Sequence, residues 1–315
     1  MTVELPPLPL ADWEPTKQTL HLWVQIVGKV RMASTAPRNH WWHVTVYVDT
    51  RGLTTRPLRS TNGVTFEINF DFVDHRLVVA TNRGEVESFD LYDGLSVASF
   101  DEQLHAALVR HGVDVAIRET PFGVPVTTPF PDDAEHATYD PDSVERFWRI
   151  LDWSEGHFDE FASWFCGKQS PVHLFWHSLD LALTRFSGRR VDPAAGIDPV
   201  NREAYSHELI SFGFWAGDER MREPSYYSYT APEPSGLRDT ALRPPGAQWT
   251  ELAGGALAVL PYEAVRTARD PRSALLAFLQ TAYEAGAELA GWNRAELESS
   301  WCPSPTELSG LLEGT

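Results

Sequence analysis

The sequence predicts an α+β protein of two related halves, each an antiparallel sheet with packed helices, as in an internal duplication. Three observations carry that reading. The run Phe66-Glu67-Ile68-Asn69-Phe70-Asp71-Phe72 alternates strictly, so its rings share one face and its polar groups the other. A sheet with one wetted face is antiparallel rather than doubly wound. Asp140-Pro141 and Asp270-Pro271 each open a helix, with Asp as the cap and Pro in the first turn. Finally, the order helix, several strands, helix occurs twice along the chain.

Taken in order, residues 16–32 form a predicted helix, since Leu20, Trp23, Val24, Val27 and Val30 recur at spacings of three and four. Strand-like runs follow at His43–Val48, Val64–Phe72, Arg76–Thr81 and Glu85–Leu91. Ser99 and Glu102 make a capping box for a helix that Gly112 ends, and Val113–Ile117 reads as a short strand. Residues 119–140, with Pro121, Pro125, Pro129 and Pro131, are a connector between an N-terminal half, 1–118, and a C-terminal half, 141–315. In the second half the stripe Val144, Phe147, Trp148, Leu151, Phe158, Phe161 and Phe165 marks a long helix. Residues 172–186 are predicted to be a further helix, with Val172, Phe175, Trp176, Leu179, Leu183 and Phe186 on its apolar face. His207–Trp215, Tyr226–Tyr229 and Ala256–Leu260 read as strands, and the helix from Pro271 ends at Gly291. Segments 188–204 and 230–250 read as loops. Under the duplication, His21-Leu22-Trp23-Val24-Gln25 corresponds to His173-Leu174-Phe175-Trp176-His177, and Asn39–His43 to Tyr205–Glu208. Chance sharing of His-Leu by two amphipathic helices is the alternative.

Charge excludes several functions. Lys and Arg total 26 against 44 Asp and Glu, a formal net charge of −18, which repels phosphate backbones and anionic membranes. We therefore expect neither a nucleic-acid nor a membrane partner, but a small molecule. No run of about 18 apolar residues exists to span a bilayer. The opening MTVELPPLPLADW has neither the basic segment nor the apolar stretch of a secretory signal. Cys166 and Cys302 are the only cysteines, too few for a disulfide framework or a thiolate zinc knuckle, so a reducing cytoplasm is expected. The 12 Trp, 16 Phe and 9 Tyr supply an aromatic core and the walls of any pocket.

The chemistry centres on histidine. On a helix, His173 and His177 would stack about 5–6 Å apart, close enough for one metal ion. On a strand they would share a face but lie about 13 Å apart, too far for one ion. Asp180 and Thr184 continue the same helical stripe, and His207 at the head of a strand supplies a third nitrogen. Three imidazoles with an open position suit a divalent metal, zinc or iron. Glu208 or Asp180 would then be the general base. Against this, the H-x-x-x-H spacing lacks the Glu of zinc peptidases, with Leu174 in its place, and buried histidines bonded to Asp180 or Glu203 explain it equally. His40-Trp41-Trp42-His43 would split its rings between two faces of a strand, leaving one histidine and one indole for a pocket. In Tyr226-Tyr227-Ser228-Tyr229, Tyr227 and Tyr229 share a face and could present phenols. With His21 and Trp176 these complete the substrate-binding candidates. Phosphate-cradling, dinucleotide-binding and nucleophile-elbow glycine motifs are absent.

Long phrases carry a further signal: LHLWVQIVGKVRMA, NHWWHVTVYVDTRGLTT, FEINFDFVDHRL, SPVHLFWHSLDLALTRFSGRR, REAYSHELISFGFW and LPYEAVRTA. Together they resemble the bacterial domain-of-unknown-function family numbered 5996, over nearly the whole chain. The resemblance implies no activity. It implies Gly at the position of His177, which would make a site on His173 and His177 peculiar to this chain. His21, His40, His43, His173, His207 and Glu208 match the family phrases. The expected function is a metal-assisted enzyme acting on a small molecule through the histidine cluster. The alternative is a non-catalytic small-molecule binding protein with an aromatic, histidine-lined pocket.

Overall fold

The computed structural model describes residues 4–192, 196–252 and 255–299, so Cys302 and the end of the C-terminal half lie outside the described residues. The first long helix, α1, runs Leu10–Ala33, and every residue from 19 to 31 is buried. It begins six residues before the expected start, because Pro15 sits within the helix rather than ahead of it. The apolar stripe marks the helix, but the stretch from 19 to 31 is covered on all sides, so its polar residues must find partners inside the protein.

Six antiparallel strands follow: β1 (Tyr47–Asp49), β2 (Gly52–Thr54), β3 (Leu58–Arg59), β4 (Thr65–Asp71), β5 (Arg76–Thr81) and β6 (Val86–Asp90). Their order is β1-β2-β4-β5-β6, with β3 beside β4. The alternation in β4 holds: Phe66, Ile68 and Phe70 are buried while Thr65, Glu67 and Asn69 are half-buried. The rings of Trp23 and Phe100 stack at 5.0 Å, and Phe100 stacks on Phe70 at 5.9 Å, joining α1 and α2 (Val97–Arg110) to this sheet. The cap of α2 is Ser96, whose side chain accepts the Ser99 N–H, so the helix starts earlier than the capping-box reading placed it. The expected strand at Val113–Ile117 is irregular chain.

The second half opens with α3 (Pro141–Ser163), capped by Asp140 as expected. Its sheet is β7 (His173–Phe175), β8 (Asp180–Arg190), β9 (His207–Trp215), β10 (Ser225–Ala231), β11 (Gln248–Leu252) and β12 (Gly255–Pro261), ordered β11-β12-β10-β9-β8-β7. A short helix, α4 (Pro199–Ala204), precedes β9, while α5 (Tyr262–Arg266), α6 (Pro271–Leu289) and α7 (Arg294–Leu297) close the chain. The two sheets meet edge to edge where Val46 and Leu174 exchange backbone hydrogen bonds of 3.0 and 2.8 Å. Apolar residues of both halves belong to one continuous core.

The predicted helix over 172–186 is instead the β7–β8 hairpin, turning at residues 176–179. The first seven residues of β8 are buried, on both faces of the strand. Such a strand shows no clean alternation, and its leucines fall by chance at helical spacing. The alignment of His21 with His173 fails for the same reason, one lying on a helix and the other on a strand. What repeats is coarser: a long helix, an antiparallel sheet, then a further helix.

The connector 119–140 is tied to α1. Gln25 is fully buried, and its side chain donates to the Phe122 carbonyl and accepts the Phe122 N–H, both at 2.9 Å. Gln25→Leu keeps the volume and removes both bonds, so it should lower stability by about 1–3 kcal/mol. Urea unfolding would read the loss, and limited proteolysis should find new cleavage near Phe122. A variant as stable and as resistant as the parent would show that other contacts hold the connector.

Candidate functional site

The face of the second sheet opposite α3 and α6 forms the floor of a cavity of about 810 Å³. Period two selects its residues: Asp180, Ala182, Thr184 and Phe186 from β8, then Leu209, Ser211 and Trp215 from β9. Tyr227 and Tyr229 extend it on β10. Lys29 and Met32 of α1 form one wall, with Thr120, Pro121 and Phe122 of the connector beside them. Residues 175–178 of the β7–β8 turn form another, and the loop His40–Trp42 with α4 covers the remainder.

Glycines make the tight places possible. Tyr227 pairs with Gly213 across the strands, and a Cβ on Gly213 would lie 2.4 Å from the phenol oxygen and 2.4 Å from the Leu181 carbonyl oxygen. Only a bare backbone lets the ring lie over β9 and reach β8, where the Tyr227 hydroxyl donates to Asp180 Oδ2. Ser178 donates to the other carboxylate oxygen, Oδ1. Burial, reinforced by Asp180, pushes the Tyr227 phenol well above its usual range, so it stays a proton donor. Thr184 and Ser211 hydroxyls bond at 3.1 Å, and Tyr229 meets the Tyr205 hydroxyl at 3.4 Å. A Cβ on Gly28 would fall 2.3 Å from the Trp176 ring, so Gly28 is what admits that indole against α1.

The covering loop is strained. His40 and Trp41 both have left-handed backbones, φ 54° and 60°, a conformation costing about 1–3 kcal/mol for such residues. Polar bonds to α4 hold them there. The His40 N–H donates to Glu203 Oε1 at 3.1 Å, the Trp41 indole to the Val200 carbonyl at 3.0 Å, and His40 Nδ1 to the Ala204 carbonyl at 3.1 Å. That tautomer leaves His40 Nε2 to accept from the Lys168 ammonium at 2.7 Å. Because residues 39–41 form a 3-10 turn and not a strand, His40, Trp41 and Trp42 all reach the cavity, whereas an alternating strand would have split them. His43 does not: its Nδ1 accepts the Arg38 N–H at 3.1 Å.

Of the residues expected at a site, the cavity gathers His40, Trp176, His177, Asp180, Tyr227 and Tyr229. The others have different work. His21 donates from Nε2 to the Trp176 carbonyl at 3.0 Å, holding the turn that carries the indole. His173 has no exposure, packs between Tyr47 and Phe175, and has no hydrogen-bond partner on either ring nitrogen. His207 packs edge-on to His40 at 5.3 Å and bonds the Ser206 hydroxyl. Glu208 points to the other face of β9, bonded to Ser187 at 2.8 Å and paired with Arg189 at 2.6 Å. The three-histidine metal centre is thus corrected: with His173 on a strand, the helical spacing that justified it is gone. Among the described residues no three His, Cys, Asp or Glu side chains come together to hold an ion. Nor is Glu208 placed to serve as a base in this cavity.

Sequence reading missed Lys29, although the signal existed. Lys17, His21, Gln25 and Lys29 recur every four residues on an otherwise apolar helix, and all are buried. The Lys29 ammonium donates to the carbonyls of Arg118, at 2.9 Å, and Thr120. Burial, with Arg118 adding repulsion, brings its pKa down to about 8. The cavity is accordingly aromatic-walled, with one ammonium, one carboxylate and several hydroxyls facing inward.

The model of the family of unknown function DUF5996 matches residues 5–299, and the chain belongs to that family. No curated protein and no solved structure matches it.

Burial lowers the pKa of both His21 and His173 from 6.5 to about 3. Both are therefore neutral in the fold, and their contribution to stability is complete above about pH 6.5 and lost as the pH falls toward 3. Each unit costs up to about 1.4 kcal/mol per histidine, because the unfolded chain takes up the proton first. Urea midpoints should fall steadily between about pH 6.5 and 4.5. His173→Phe, which replaces two unpaired nitrogens by carbon, should keep stability near neutrality and flatten that slope. An unchanged slope would mean that His173 does not govern it.

Proposed function

We propose that this member of a family of unknown function is a small-molecule binding protein whose ligand lies in the cavity over the second sheet. The observation that carries the reading is the cavity itself. Its volume of about 810 Å³ falls inside the range of about 300–1,000 Å³ typical of ligand sites. It is lined by rings, with a few inward polar groups at fixed positions. Trp41, Trp42, Trp176 and Trp215 offer faces for stacking, while Asp180, Thr184 and Tyr229 offer directional hydrogen bonds. Of the two functions expected from sequence, this is the non-catalytic one. The metal-assisted enzyme loses its support with the dispersal of His173, His177 and His207.

Two coarser features accompany the proposal. No helix among the described residues is long and apolar enough to cross a membrane. Cys166 is exposed and free, which suits the reducing cytoplasm we propose as the site of action. The excess of 44 acidic over 26 basic side chains favours a small molecule over nucleic acid as partner.

Titration with planar aromatic compounds should quench tryptophan fluorescence saturably and raise the melting temperature with ligand concentration. In the double variant Ala182→Phe, Thr184→Phe two rings occupy the floor. Quenching should then disappear while cooperative melting and far-ultraviolet circular dichroism are retained. Saturable quenching that survives in this folded variant would place the ligand elsewhere and refute the proposal.

A further inference from the structure

The cavity has a charge asymmetry that bears on which molecules it takes. Lys29 is 3% exposed and lines the wall nearest the connector. Its two hydrogen bonds go to neutral backbone carbonyls, of Arg118 and Thr120. An ammonium has three donors, so one remains. The charged neighbour it feels is Arg118, a second cation that also lines the cavity. A buried ammonium without a carboxylate is an expensive arrangement unless something else supplies the negative charge. It is also out of keeping with a chain of net charge −18, whose acidic side chains outnumber basic ones by 44 to 26.

Resting on the binding reading above, we propose that the ligand is an organic anion with a planar aromatic body, its anionic group held by Lys29 and Arg118. The geometry also orients it. Lys29 Nζ lies 5.2 Å from the ring centre of buried Phe130 behind it and 5.8 Å from that of Trp176, and Trp176, with Phe122 edge-on to it at 6.3 Å, lines the cavity. Asp180 is the only carboxylate among the lining residues. Its oxygens already accept from Tyr227 and Ser178. It repels the anionic end and leaves the wall at Lys29 as the place for it. Lys29 thus has two tasks: its carbonyl bonds fix residues 118–120, and its remaining donor and charge meet the ligand.

The test uses two probes of one shape, 2-naphthoate and 2-naphthamide, which differ in charge, titrated calorimetrically into the full-length protein at neutral pH and low salt. The anion should bind about tenfold or more tightly than the amide, the gain of one buried charge-assisted bond. Lys29→Gln retains donors for the two carbonyls but carries no charge, and should remove most of the preference, leaving only the part that Arg118 supplies. Arg118→Gln, at an exposed side chain, should reduce the preference several-fold. In the parent, the preference should shrink as the pH rises through about 8 while the amide's affinity stays flat, because Lys29 loses its proton there. Equal affinities in the parent would overturn anion recognition while leaving the cavity a binding site. Binding of neither probe would overturn both. Should Lys29→Gln fail to fold, Arg118→Gln and the pH series decide, and a preference unchanged in both refutes the assignment.

Discussion

The molecule is organised around the need to satisfy three polar side chains, His21, Gln25 and Lys29, on the buried stretch of α1. Lys17, His21, Gln25 and Lys29 lie on one line of α1 because four residues make slightly more than one turn. A buried polar group without a partner costs about twice what a satisfied one contributes, so this line dictates what packs beside it. His21 takes the Trp176 carbonyl, Gln25 takes both backbone groups of Phe122, and Lys29 takes the carbonyls of Arg118 and Thr120. A segment with almost no regular secondary structure is thereby pinned, and the β7–β8 turn is drawn to the same helix. Those two pieces of irregular chain are the walls of the cavity. The structural requirement and the site are consequences of one stripe.

The opposite side of the cavity obeys a different rule. In the floor, side chains are selected by strand period, with Asp180, Ala182, Thr184 and Phe186 of β8 and Leu209, Ser211 and Trp215 of β9 facing inward. The pairing of Tyr227 with Gly213 is what converts this flat face into a chemically defined one. The same ring over any larger residue would be lifted away from Asp180, and the carboxylate would lose a donor. The close approach of Trp176 to Gly28 plays the corresponding part in the wall. Small residues here serve to let large ones lie flat. That is why an aromatic-rich sequence leaves a cavity instead of filling it.

Much of this was legible in the sequence, and the failures have identifiable causes. Helices capped by Asp-Pro and strands with a wet face, such as β4, were read correctly because a local signal specifies them. The β7–β8 hairpin was not, because a strand buried on both sides has lost the alternation that identifies it. That one error generated the metal hypothesis, since His173 and His177 approach each other only on a helix. The covering loop misled in the opposite direction: a left-handed turn at His40 and Trp41 is stabilised by α4, more than 150 residues away, and no local pattern announces it. Tyr227 and Tyr229 share the cavity face as strand alternation predicts, whereas Asp180 lines the cavity from a strand and not from the helical stripe that singled it out. Lys29 was overlooked because a lysine on a helix is ordinarily read as solvated.

Distance in sequence also explains why the cavity depends on the whole chain. Its floor comes from β8 to β10, its cover joins residues 40–42 to residues 200–205, and its walls come from α1, the connector and the turn after β7. The strain of two adjacent left-handed residues is offset only when His40 and Trp41 find Glu203, Ala204 and Val200. Lys29 tolerates its burial only when the carbonyls at 118 and 120 are in place. Neither half by itself holds a complete set of partners. The family model spans residues 5–299 and so includes every one of these elements. The strained backbone of His40 and Trp41 and the buried side chains of Gln25 and Lys29 find their partners around this cavity, and it is there that the proposed ligand is to be sought.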